Sequence, residues 1–89
     1  MRIWTAVYKN KLSYLEAIRE AKRHNTFFTR EDLHCVYFYS DEGRLCKITE
    51  DKKIEYIRNE EIYDLENDWM SVAVPYSVIE LLLDEGYIY

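Results

Sequence analysis

The stretch Val36-Tyr37-Phe38-Tyr39-Ser40-Asp41-Glu42-Gly43-Arg44-Leu45-Cys46-Lys47-Ile48-Thr49 holds two short runs of strand-forming residues on either side of a turn. A type I turn at Asp41-Glu42, followed by Gly43 in the left-handed conformation, makes a bulged hairpin with a three-residue loop. That loop length sets Ser40 opposite Arg44, Phe38 opposite Cys46 and Val36 opposite Ile48, which collects one apolar face. The other face holds Cys35, Tyr37, Tyr39, Leu45, Lys47 and Thr49. A slip of one residue would mix the two sets, so burial selects this register. An antiparallel sheet is therefore the frame on which the rest of the chain is read.

Downstream, Glu50-Asp51-Lys52 turns the chain into a third strand over Lys53 to Ile57, with Ile54 and Tyr56 on the core face. Upstream, Arg2 to Tyr8 alternates as a strand, and Lys9-Asn10-Lys11 reads as its turn. Ser13 lies three residues before Glu16, the spacing of a capping box. The helix it opens runs from Tyr14 to His24, with Tyr14, Ala17, Ile18 and Ala21 on one stripe and Asn25 as its end. Thr26 to Thr29 has no clear period; Thr29 with Asp32 could cap a short turn through Leu33. Residues 59–68 suit a short helix capped by Asn59 or a loop. Trp69 to Val74 is a last strand, stopped by Pro75. Ser77 with Glu80 repeats the capping box, and Gly86 fits a left-handed C-cap with Tyr87 or Ile88 packing back. The expected architecture is one α+β domain over residues 1–89. It has an antiparallel sheet of four to five strands, a capped helix after the first strand and a short C-terminal helix, both helices on one sheet face.

Charge is unevenly distributed. Residues 59–89 contain eight carboxylates and no Lys, Arg or His, while residues 1–49 carry nine Lys/Arg against six Asp/Glu. The whole chain of 89 residues has a net charge of −5. Such asymmetry steers encounters with a partner of opposite sign. Nine tyrosines, two tryptophans and three phenylalanines exceed what a core this small is expected to bury, and amphipathic rings suit interfaces. No secretory leader and no apolar run of membrane-spanning length is read, so a reducing cytoplasm is expected.

Chemistry-bearing patterns are sparse. His34 and Cys35 are neighbours on a strand and point to opposite faces, and the register separates Cys35 from Cys46 as well. Neither a zinc site nor a disulfide is expected. Asp64, Glu66 and Asp68 have the opening spacing of a calcium loop, but Trp69 stands where that loop needs Gly and Pro75 where it needs Glu. No metal, cofactor or catalytic set is assigned, and an enzyme is not expected. Lys9, Lys11, Arg19, Lys22 and Arg23 are interrupted by Glu16 and Glu20, which can pair with Arg19 and Arg23 at a spacing of three. Together with the net negative charge, this argues against direct nucleic-acid binding.

The remaining reading is a binding module. Glu60, Glu61, Tyr63, Asp64, Glu66, Asp68 and Trp69 would present carboxylates with aromatic anchors to a basic partner surface. In general character the chain resembles small early proteins of bacteriophages, including anti-CRISPR and anti-restriction inhibitors, through its acidity and its richness in Tyr, Lys, Glu and Ile. That resemblance implies a host protein partner, one that binds nucleic acid, whose site is blocked; no residue role follows from it. The alternative is a small-ligand module, acting as an oligomer, in which Tyr37, Tyr39, Arg44 and Lys47 bind a nucleotide. Self-association through exposed rings is a further option.

Overall fold

A computed structural model describes residues 3–58 and 68–88. The elements are β1 (Ala6–Leu12), α1 (Tyr14–His24), β2 (Phe27–Arg30), β3 (Cys35–Tyr39), β4 (Leu45–Thr49), β5 (Ile54–Tyr56), β6 (Trp69–Ala73) and α2 (Tyr76–Asp84). The strands form one six-stranded sheet in the order β1-β6-β2-β3-β4-β5, every neighbouring pair antiparallel. The α+β class, the helix after the first strand and the short last helix are as the sequence predicts, with a sixth strand added.

The hairpin has the predicted register: Val36 faces Ile48 and Phe38 faces Cys46. Gly43 closes it at φ 81°, its N–H donating to the Ser40 carbonyl over 2.8 Å. Ser13 caps α1 reciprocally: its Oγ accepts from the Glu16 N–H, and the Glu16 carboxylate accepts from the Ser13 N–H. The bond from the Ser13 N–H, with the Ser13 hydroxyl beside it, holds the Glu16 carboxyl below its ordinary titration range. Asn25 ends the helix in the left-handed conformation.

Five expectations are corrected. First, the segment after α1 is strand β2, not a helical turn. Thr29 is fully buried and its hydroxyl donates to the Cys35 carbonyl over 2.6 Å, so it ties β2 to β3 instead of capping. Second, β1 covers Ala6–Leu12, and the expected turn at Lys9 to Lys11 lies inside it. Register shifts between Val7 and Lys9 and between Lys9 and Leu12, with Lys11 at φ 56°, let this edge strand bend without leaving its partner. Third, β5 is shorter than the expected Lys53 to Ile57; Tyr56 does lie on the core face, opposite Cys46, and its ring, 44 % exposed at the sheet edge, packs 5.5 Å from that of Tyr87. Fourth, α2 begins one residue after an uncapped Pro75, and Ser77 lies within its first turn. Pro75 supplies the extended backbone at φ −61° and ψ 152° from which Val78 reaches the core. The other end is as expected: Tyr87 N–H donates to Leu82 and Gly86 N–H to Leu83, with Gly86 at φ 81°.

The fifth correction matters most. The helices lie on opposite sheet faces, because both faces carry apolar side chains. On one, Val78 and Leu82 of α2 pack with Phe27, Phe38, Ile48, Met70 and Val72. On the other, Tyr14, Ala17 and Ala21 of α1 pack with Phe28, Tyr37, Leu45 and Trp69. The two alanines let the helix approach while the aromatic rings fill the layer. β1 and β2 both run antiparallel to β6, so β1–α1–β2 is a split β-α-β unit with β6 inserted between its strands.

The two Ser-x-x-Glu sequences should behave differently. Ser13→Ala is expected to lower stability by about 1 kcal/mol. Ser77→Ala, which removes no cap bond, should change it by less than about 0.5 kcal/mol. Urea unfolding of both variants checks this, and equal losses would contradict the difference in capping.

Candidate functional site

Of the residues expected to meet a partner, Glu60, Glu61, Tyr63, Asp64 and Glu66 lie outside the described residues. Asp68 and Trp69 are described and differ in role. Asp68 is exposed, with its carboxylate 3.4 Å from Arg30 Nε. Trp69 is only 1 % exposed, which corrects its expected role as a surface anchor. Its ring lies 5.4 Å from Tyr14, 5.7 Å from Phe28 and 6.0 Å from Tyr37, centroid to centroid. Among the described residues the indole N–H has no hydrogen-bond partner, a cost of about 1–3 kcal/mol. Burial of a large apolar ring, worth about 1.5–3 kcal/mol, and its aromatic contacts offset that cost. The sequence did carry a sign of this: an apolar run without alternation marks a strand covered on both faces.

Around Asp68 the fold gathers acid from separate parts of the chain. Glu31 and Asp32 come from the β2–β3 turn, and Asp68 precedes β6, whose register sets Trp69 beside Arg30. With Asn10, Lys11 and Met70 they line an open groove of about 320 Å³. Arg30 is held between two of these carboxylates, 3.2 Å from Asp32 and 3.4 Å from Asp68, with its guanidinium 5.8 Å from the centre of the Trp69 ring. The buried aromatic layer thus fixes the cation that orients the surface acids. Sequence reasoning missed Glu31 and Asp32, because their proximity to Asp68 arises only when β6 pairs with β2.

The alternative ligand set does not assemble. Tyr37 is 6 % exposed beneath α1, and Lys22 Nζ sits 5.0 Å over the half-buried Tyr39 ring. Lys47 pairs with Glu55 across β4–β5 at 3.6 Å. Arg44 lies on the other sheet face, 3.8 Å from the centre of the Tyr56 ring. The four side chains therefore share no pocket. His34 Nδ1 is 3.3 Å from Glu50, and Cys35 and Cys46 point to opposite faces as the register requires. Among the described residues, no three His, Cys, Asp or Glu side chains gather as a metal site. No described helix is long and apolar enough to cross a membrane.

No protein-family model matches this chain, and neither the curated proteins nor the solved structures contain a significant match to it.

Burial gives several groups displaced titrations. It pushes the Tyr37 phenol well above the ordinary tyrosine range and raises Tyr39, Tyr87 and the Cys46 thiol. In the unfolded chain a thiol titrates near about 8.5 and a tyrosine near about 10. Above those values the unfolded state has released protons that the folded state keeps, so stability present below them is lost as pH rises toward the folded titrations. Unfolding free energy should therefore decline on the alkaline side, and Tyr37→Phe should make that decline shallower. Denaturant titrations across alkaline pH check this; an unchanged slope would mean that the Tyr37 hydroxyl is hydrated.

Proposed function

We propose that this protein is a small acidic binding module that inhibits a partner protein by occupying its basic, nucleic-acid-binding surface. One observation carries the reading: carboxylates from separate parts of the sequence, Glu31, Asp32 and Asp68, line one groove at an end of the sheet. Asp68 is also the last residue of the 59–68 stretch, which holds five carboxylates and no cation. A surface that binds phosphates presents Lys and Arg, and fixed carboxylates can take the same charge-assisted bonds. Arg30 supports the arrangement by holding Asp32 and Asp68 in place from a position that is only 18 % exposed. The resemblance to small phage inhibitors of host defence points to the same partner class.

The reading predicts that the tagged protein retains one stoichiometric protein from a bacterial lysate after nuclease treatment. With that partner purified, Glu60→Lys/Glu61→Lys/Asp64→Lys should slow association by about tenfold or more, as expected when steering is lost. Its rate should also depend less on salt. Unchanged association by the triple variant would rule out the acidic surface. Capture abolished by nuclease would show that nucleic acid, not protein, had been held.

A further inference from the structure

The two helices expose stripes of opposite charge in which, among the described residues, Arg19, Arg23, Glu80 and Asp84 form no ion pair, while Lys22 lies over the Tyr39 ring. On α1, Leu15, Arg19, Lys22 and Arg23 recur at helical spacing, and with Ile18 they line one shallow depression. Leu15 is 62 % exposed. The sequence predicts that Glu16 and Glu20 pair with Arg19 and Arg23, but both glutamates make their direct bonds to other groups, and the two arginines act on them only through space. Glu16 closes the cap with Ser13. Glu20 accepts from Lys9 Nζ over 2.6 Å, a bond that lowers the Glu20 titration, and its other oxygen lies 3.9 Å from His24. Among the described residues, Arg19 and Arg23 form no ion pair, and the flank stays cationic beside an exposed leucine.

The outer face of α2 is the counterpart. Tyr76, Glu80, Leu83 and Asp84 recur at the same spacing as Leu15, Arg19, Lys22 and Arg23. Tyr76 is 72 % exposed and Leu83 43 %. No ion pair forms at Glu80, Asp84 or Glu85 among the described residues, and no basic residue occupies the last turn. Carboxylates at a helix C-terminus face the negative end of the macrodipole, so this end is electrostatically unsatisfied. Laid side by side in parallel, the stripes match Leu15 with Tyr76, Arg19 with Glu80, Lys22 with Leu83 and Arg23 with Asp84, two ion pairs between apolar contacts.

We propose that the cationic flank of α1 is a docking site for the acidic outer face of α2 from a second copy of this chain. The complementarity of the two faces, in sign and in spacing, singles out this occupant. Because α1 and α2 cover opposite faces of the sheet, the contact is heterologous: one copy's α1 meets the next copy's α2, and growth continues or closes into a ring. Two short helix stripes bury far less than a standard interface of about 1,600 Å², so the association is weak and driven by charge. The contact uses none of the groove residues invoked above.

The test is sedimentation equilibrium of the full chain at an ionic strength of about 0.01 M, where screening acts over about 30 Å, and at about 1 M, where it acts over about 3 Å. At low salt the weight-average mass should rise with concentration to about twice the monomer or more, and at high salt it should return to the monomer. Arg19→Glu/Arg23→Glu and Glu80→Arg/Asp84→Arg should each be monomeric at low salt. The variant combining both swaps should associate again, since the signs are exchanged but still opposed. A wild-type chain monomeric at low salt overturns the proposal. So does association that persists in either double variant, or a folded combined variant, verified by circular dichroism, that fails to associate.

Discussion

Trp69 packed against Tyr14, Phe28 and Tyr37 is the contact on which most of this structure depends. It seats α1 on the second face of the sheet and fixes the interior strand β6, which is bonded to β1 on one side and β2 on the other. The same cluster accounts for part of the tyrosine surplus. Rings that look excessive for a one-sided core are needed when both faces are covered, and Tyr14 and Tyr37 are core residues on that account. From the aromatic layer the constraint passes outward: Arg30 lies beside Trp69, and Asp32 and Asp68 close on Arg30 at the surface.

Local chemistry in the sequence was read correctly where the deciding interactions are local. The hairpin register follows from a three-residue loop and two alternating faces, and the α1 cap from Ser13 and Glu16. The C-terminal turn of α2 follows from Gly86. Long-range pairing escaped that reading. Nothing near Thr26 to Thr29 indicates that β6 will supply a neighbour, so strand β2 was not distinguished from a helical turn. The Ser77 box has the same residues as the Ser13 box, but Pro75 and the need to bury Val78 start the helix earlier. The layer count differs because alternation on β3 looks like an inner and an outer face, whereas α1 covers the second one.

The candidate site was legible only in part. Its acidity is a property of the sequence, and Asp68 was identified from it. Glu31 and Asp32 join Asp68 through tertiary pairing, while Trp69 and Tyr37 leave the list of exposed aromatic groups because α1 covers them. Charge on the helices was misread for a related reason. Glu16 and Glu20 can reach Arg19 and Arg23 by spacing, but the Ser13 N–H and the Lys9 ammonium take them. Local bonds thus consume the acid of α1 and leave its basic flank, while α2 keeps its carboxylates. The molecule presents charge of both signs on opposite layers, with the aromatic layer inside as the rigid support.

The claim that α1 closes the second sheet face over Trp69 is tested most directly by tryptophan fluorescence in a Trp4→Phe variant, which leaves Trp69 as the single indole. The account predicts blue-shifted emission and strong protection from acrylamide, both lost on unfolding in urea. Emission at the wavelength of free tryptophan, with full quenching in the folded protein, would contradict it.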